Sequence, residues 1–100
     1  MKNLKFTELL RALDKSEFRE FGKFIISPYH NNRSEVVRFF DALKNFYPKF
    51  NSIYFTEAEI FKKVYPGKKY SDVMMRKLFS LTTNLLMDFF AVTSFKESTL

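Results

Sequence analysis

The stretch "SDVMMRKLFSLTTNLLMDFFAV", Ser71 to Val92, reads as one long helix and as nothing else. Leu78, Leu81, Leu85 and Phe89 recur at helical spacing and form one apolar stripe. Met75, Phe79, Leu86 and Phe90 form a second stripe beside it. A strand would need alternating apolar and polar residues, and this segment has none of that pattern. A helix from Asp72 to about Val92 would run roughly 30 Å, the width of a small domain. Its polar face is narrow, chiefly Lys77, Asn84 and Asp88. A helix that is apolar most of the way round is normally buried. In a chain of 100 residues it must sit at the centre of the bundle or leave one stripe open to a partner. A membrane span is not expected. The most apolar run, "LFSLTTNLLMDFFAV", contains Asn84 and Asp88 and falls short of the ~20 residues a bilayer requires.

The rest of the chain must supply what packs against this helix, and it too reads as helical. Only two glycines occur, and alternation of the strand type is nowhere sustained. The first helix is predicted over Leu4–Leu13, with Phe6, Leu9, Leu10 and Leu13 on its inner side. Asp14 caps a second, and Glu17 three residues on completes a capping box. Phe18, Phe21 and Ile25 line the second helix, which Pro28 stops. Phe21 is expected to be buried against the third and fifth helices. Gly22 inside this helix costs about 1 kcal/mol against alanine, which the close approach of another backbone would explain.

Asn32 with Glu35 resembles a cap for a third helix reaching about Phe46, carrying Val36, Phe40, Leu43 and Tyr47. Pro48 then opens a connector. Thr56 with Glu59 makes another capping box, for a short helix from Glu57 to Val64 or Tyr65 with Ile60, Phe61 and Val64 inward. "PGKK" turns the chain, Gly67 accepting a left-handed conformation, and Ser71 caps the long helix. The fold class that follows is all-α: one domain over residues 1–100, an irregular orthogonal bundle of about five helices, the last longest.

Composition narrows the function. There is no cysteine, so disulfides and thiolate metal sites are excluded, and a cytoplasmic location fits. A single histidine, His30, in a polar loop gives no basis for a metal site or a His-based dyad. No P-loop, dinucleotide glycine pattern or nucleophile elbow occurs. No catalytic residue, cofactor or small-molecule substrate is expected. Fourteen phenylalanines and five tyrosines are many for one small core, which favours an apolar surface covered by another chain. Met75, Phe79, Leu86 and Phe90 are the candidate protein interface, with a second copy or a neighbouring domain as partner.

Net charge is +6. Lys62, Lys63, Lys68, Lys69, Arg76 and Lys77 gather around the turn before the long helix and are the candidate phosphate contacts. The bland alternative is a solvated corner of long side chains. The segment "FTEAEIFKKVYPGKKYSDVMMRKLFSL" resembles the helix pair of response-regulator-type winged-helix domains. Thr56, Ile60, Phe61 and Tyr65 match the first helix, and Ser71 to Leu81 the start of the second. That resemblance implies a helix-turn-helix binding nucleic acid. The departures lie in "SLTTNLLMDFF", where such recognition helices carry arginines, and in the lack of any glycine after Gly67 for a β-hairpin wing. Separately, "SEFREFGKFIISPYHNN" and "VYPGKKYSD" resemble the N-terminal region of long, uncharacterised bacterial proteins that continue as helices. This second resemblance implies that the chain is the N-terminal domain of a longer protein. The preferred expectation is a non-catalytic protein-interaction module; nucleic-acid binding through residues 62–77 is the alternative.

Overall fold

Two adjacent phenylalanines on the third helix bring the first, second and fifth helices together. The structure, a computed structural model, describes the chain from residue 4 to 98 and its side chains from residue 5 to 93. Five helices follow in order: α1 Leu4–Ala12, α2 Lys15–Ile26, α3 Ser34–Lys44, α4 Glu57–Val64 and α5 Asp72–Ser98. The fold is all-α, and no strand occurs among the described residues. α3 packs against α2, α4 and α5, and α2 packs against α5.

Phe39 and Phe40 leave α3 about 100° apart, as successive residues on a helix must. Phe39 meets Phe6 of α1 at 5.9 Å and Phe79 of α5 at 5.6 Å, and Phe6 meets Phe79 edge-on at 5.3 Å. This triangle brings α1, α3 and α5 together. Phe40 instead meets Phe18 at 4.9 Å and Phe21 at 5.6 Å, both on α2. Phe21 in turn meets Phe89 of α5 at 5.4 Å. Phe21 is thus fully buried between α3 and α5, as its place in the α2 stripe predicts. Aromatic pairs at these separations contribute about 0.5–1.5 kcal/mol each beyond the area they bury.

Gly22 is explained by the same ring. A Cβ there would stand 2.8 Å from Cε2 of Phe40. Its absence lets the ring lie against the α2 backbone, and that packing offsets the helix-propensity cost. The close neighbour is a phenylalanine ring rather than another backbone.

Two polar contacts fasten segments that the rings do not reach. The Tyr47 hydroxyl donates to the Leu13 carbonyl at 2.7 Å, tying the end of the α1 region to the connector after α3. Arg38 Nε donates to the Val64 carbonyl at 2.9 Å, satisfying a free acceptor at the C-terminus of α4. The connector buries Phe50 and Phe55, which pack on each other at 5.4 Å and on Tyr47 and Phe46 respectively. Phe50 takes a positive φ of 52°, and the Tyr47–Pro48 peptide is cis.

The cap at Asp14 is the predicted box. Glu17 N–H donates to its Oδ1 at 2.8 Å, and Asp14 N–H donates to Glu17 Oε1 at 2.9 Å. Thr56 is half of one. Its Oγ1 accepts from Glu59 N–H at 3.2 Å, while the Glu59 carboxylate turns to Lys62 at 3.6 Å. The Asn32 cap is corrected. Arg33 occupies the cap position with no side-chain bond, because Asn31 closes the loop instead. Asn31 donates to the Ile25 carbonyl at 2.9 Å and accepts from Arg33 N–H at 3.1 Å. Glu35 pairs with Arg33 at 3.5 Å rather than with a cap amide. α5 continues to Ser98, six residues beyond the predicted end.

Thr82 is fully buried on α5, and its Oγ1 has no hydrogen-bond partner. A desolvated hydroxyl of this kind costs about 1–3 kcal/mol in proteins. Thr82→Val keeps the shape and removes the hydroxyl, so it should stabilise the domain by about 1 kcal/mol. Thermal unfolding should show a rise of about 4–8 °C in a chain of this size. A fall in melting temperature would mean that the hydroxyl bonds back to its own helix.

Candidate functional site

The basic turn has the local chemistry its sequence predicts. α4 ends at Val64, and Tyr65 N–H closes the last turn on the Phe61 carbonyl at 2.8 Å. Gly67 takes a φ of +79°, where a side chain would be strained. Ser71 Oγ accepts from Met74 N–H at 3.3 Å and starts α5. Tyr70 clips the turn to α4. Its hydroxyl donates to Glu57 Oε2 at 2.9 Å and its ring meets Phe61 edge-on at 5.3 Å.

All six candidate phosphate contacts, Lys62, Lys63, Lys68, Lys69, Arg76 and Lys77, are exposed. Four already have local partners. Lys62 pairs with Glu59, and Arg76 pairs with Asp72 at 3.2 Å. Lys63 lies 5.5 Å over the Phe46 ring, and Lys68 lies 5.7 Å over the Tyr65 ring. Glu57, Glu59 and Asp72 interleave with the bases, so residues 57–77 carry 6 − 3 = +3. Exposed contacts of this kind are weak and exchange readily. From Ser80 to Asp88 the outer face of α5 offers Ser80, Asn84, Met87 and Asp88, with no base. α5 runs on as helix where a winged-helix domain would turn into its hairpin.

The candidate interface on α5 requires correction. Met75, Phe79 and Leu86 are buried within this one chain, and only Phe90 is half-buried. The reason is the Phe39 triangle: Phe6 and Phe39 close over Phe79 from α1 and α3. The phenylalanines among the described residues are taken up by ring-on-ring packing, while Tyr29 and Tyr54 stay exposed. What α5 exposes is scattered: Val73, Met87 and Val92.

An apolar trough lies elsewhere, between α2 and α3, with a volume of about 420 Å3. Its floor is Phe18, Gly22 and Phe40, with Tyr47 at one end and Ile26 at the other. Tyr47 stacks on Phe18 at 4.0 Å, which fixes the closed end. Ile26 is 62% exposed, a large apolar side chain left in water. Lys15, Arg19, Lys23 and Lys44 form the rim, and no carboxylate lines the trough.

Of these, the rim cations and Ile26 are not among the candidates the sequence offers, although it carries a signal for them. Lys15, Arg19 and Lys23 stand at i, i+4 and i+8, on one side of α2. Glu17 and Glu20 line a second groove against α5 of about 460 Å3, which Lys23 also borders. There His30 stacks on Phe24 at 3.9 Å. The two grooves therefore differ in charge: four cations and no carboxylate line the one toward α3, while Glu17, Glu20 and the shared Lys23 line the one toward α5.

Among the described residues no three His, Asp or Glu side chains converge in a way that could hold a metal ion. No helix among them is long and apolar enough to cross a membrane. No known protein family, curated protein or solved structure matches this chain.

Tyr70 gives the turn a pH dependence. Its phenol is pushed up to about 12, first by desolvation, then by the hydrogen bond to Glu57 and the charges of Glu57 and Asp72. Burial also raises Tyr47 and Tyr65, with Asp14 and Glu17 adding to the first and Glu35 to the second. A raised phenol favours the folded state while it is neutral. That stability is fully present below the unfolded value near 10 and is lost as pH rises toward about 12. The melting temperature should therefore fall less steeply over this alkaline range in Tyr70→Phe than in the unaltered chain. Equal slopes would show that the Tyr70–Glu57 bond does not persist in solution.

Proposed function

We propose that this domain is a non-catalytic protein-interaction module, and that it engages its partner through the trough between α2 and α3. The observation that carries the reading is the length of that trough along α2, from Lys15 to Ile26. Eleven steps along a helix cover about 16 Å, or three turns. Proteins that bind partner helices use grooves of this form, an apolar floor for one helical stripe and a polar rim for its flanks. Ile26 supports the same reading, since an exposed isoleucine at the open end supplies area for a partner to cover. The buried stripe on α5 takes no part; its role is to hold the bundle that positions α2 against α3.

Nucleic-acid binding at the 62–77 turn is the second reading, supported by the exposure of all six cations there. Such contact would be chiefly to phosphates and indifferent to sequence, at about 10⁻⁴–10⁻⁶ M in physiological salt.

Selection from an unbiased peptide display library separates the two. Ligands selected on the unaltered domain should lose binding to Ile26→Glu and keep it with Lys68→Glu/Lys69→Glu/Lys77→Glu. The interaction reading fails if no peptide is enriched, or if enriched peptides ignore Ile26→Glu. A labelled duplex bound by the domain and released by the triple reversal would favour the nucleic-acid reading instead.

A further inference from the structure

The charge of its rim says what kind of partner the trough fits. We infer that its occupant is an acidic amphipathic helix, an inference that rests on the protein-interaction reading above and specifies its ligand. Three rim cations come from α2, Lys15, Arg19 and Lys23, and Lys44 faces them from α3. Lys23 and Lys44 hold only exposed neighbours, Glu20 at 3.3 Å and Asp41 at 3.1 Å, which an incoming carboxylate can replace. Lys15 and Arg19 make no ion pair among the described residues. A ligand entering this trough meets positive charge on both banks and apolar surface beneath.

The shape of the floor selects a helix among anionic ligands. Phe18, Gly22 and Ile26 stand at i, i+4 and i+8 on α2, so the glycine leaves a gap between two large side chains. The Phe40 ring fills that gap, 2.8 Å from where a Gly22 Cβ would stand, so the floor there is ring against backbone. Apolar side chains of a partner can lie along this low floor, one helical turn apart, between Tyr47 and Ile26. Acidic residues flanking such a stripe would project toward both banks at once. A single fatty acid has one carboxylate and would engage one bank. A phosphate backbone would engage the cations and leave the apolar floor and Ile26 uncovered. Only an acidic amphipathic segment uses both features along all three turns.

Three helical peptides of about 14 residues test this, sharing one apolar stripe and differing only in flanks of Glu, Gln or Lys. Fluorescence anisotropy would give affinities, and amide chemical shifts of the domain would map the contact. The Glu peptide should shift the amides of Phe18, Gly22, Ile26 and Lys44. It should bind about tenfold or more tightly than the Gln peptide, as three or four exposed ion pairs together supply. That advantage should shrink as salt rises. Arg19→Glu with Lys44→Glu should abolish the preference while the circular dichroism spectrum stays unchanged. Equal binding of the Glu and Gln peptides in the trough would overturn the acidic partner and leave the interaction reading standing. Decanoate shifting the same amides, with the Glu peptide silent, would overturn it in favour of a lipid acid. If no peptide touches the trough, both inferences fall.

Discussion

The pair Phe39–Phe40 on α3 is the constraint on which the rest of the structure depends. Adjacent residues on a helix point in different directions, and here each direction holds a separate aromatic cluster. Phe39 joins α1 to α5 through Phe6 and Phe79. Phe40 joins α2 through Phe18 and Phe21, and Phe21 carries the contact on to Phe89. α3 is only 11 residues long, yet it is the element the others share. The long helix α5, although it has the most apolar sequence, forms a wall of the bundle that receives rings from α1, α2 and α3.

That arrangement explains where the surface features lie. The Phe40 ring sits against Gly22 and draws α2 down onto α3, leaving the trough between them. The inner stripe of α2 is consumed by Phe21, Phe24 and Ile25, so its cations and carboxylates are forced onto the two flanks. One flank becomes the rim of the α2–α3 trough, and the other borders α5. The same packing removes Met75, Phe79 and Leu86 from any outside contact. A protein-interaction reading for this domain therefore rests on α2, and the basic turn before α5 stands as a separate, exposed corner that keeps a charge of +3 over residues 57–77.

Helices and their strongest stops were legible in the sequence because they depend on near neighbours. Asp14 with Glu17, Ser71 before α5, and Gly67 in the turn each act within four residues. Phe21 was legible as core because its stripe has a clear helical period. What escaped depends on residues far apart in sequence. Asn31 takes its partner from Ile25 across a loop, so the cap at Asn32 fails. The second α5 stripe looked exposed because nothing in residues 72–92 says that Phe6 will cover Phe79. Gly22 suggested a neighbouring backbone, but what packs on it is the Phe40 ring, eighteen residues on in the sequence. The trough has one wall in α2 and one in α3, and only the α2 charge spacing could have announced it.

Native-state amide hydrogen exchange measures the central claim most directly. If α3 joins the two aromatic clusters, its amides from Phe39 to Leu43 should exchange only through global unfolding, with opening free energies equal to the stability of the whole domain. The C-terminal turns of α5, beyond Phe89, should open at lower free energy. Slowest exchange in the middle of α5, with α3 opening locally first, would contradict the account and make the long helix the organising element.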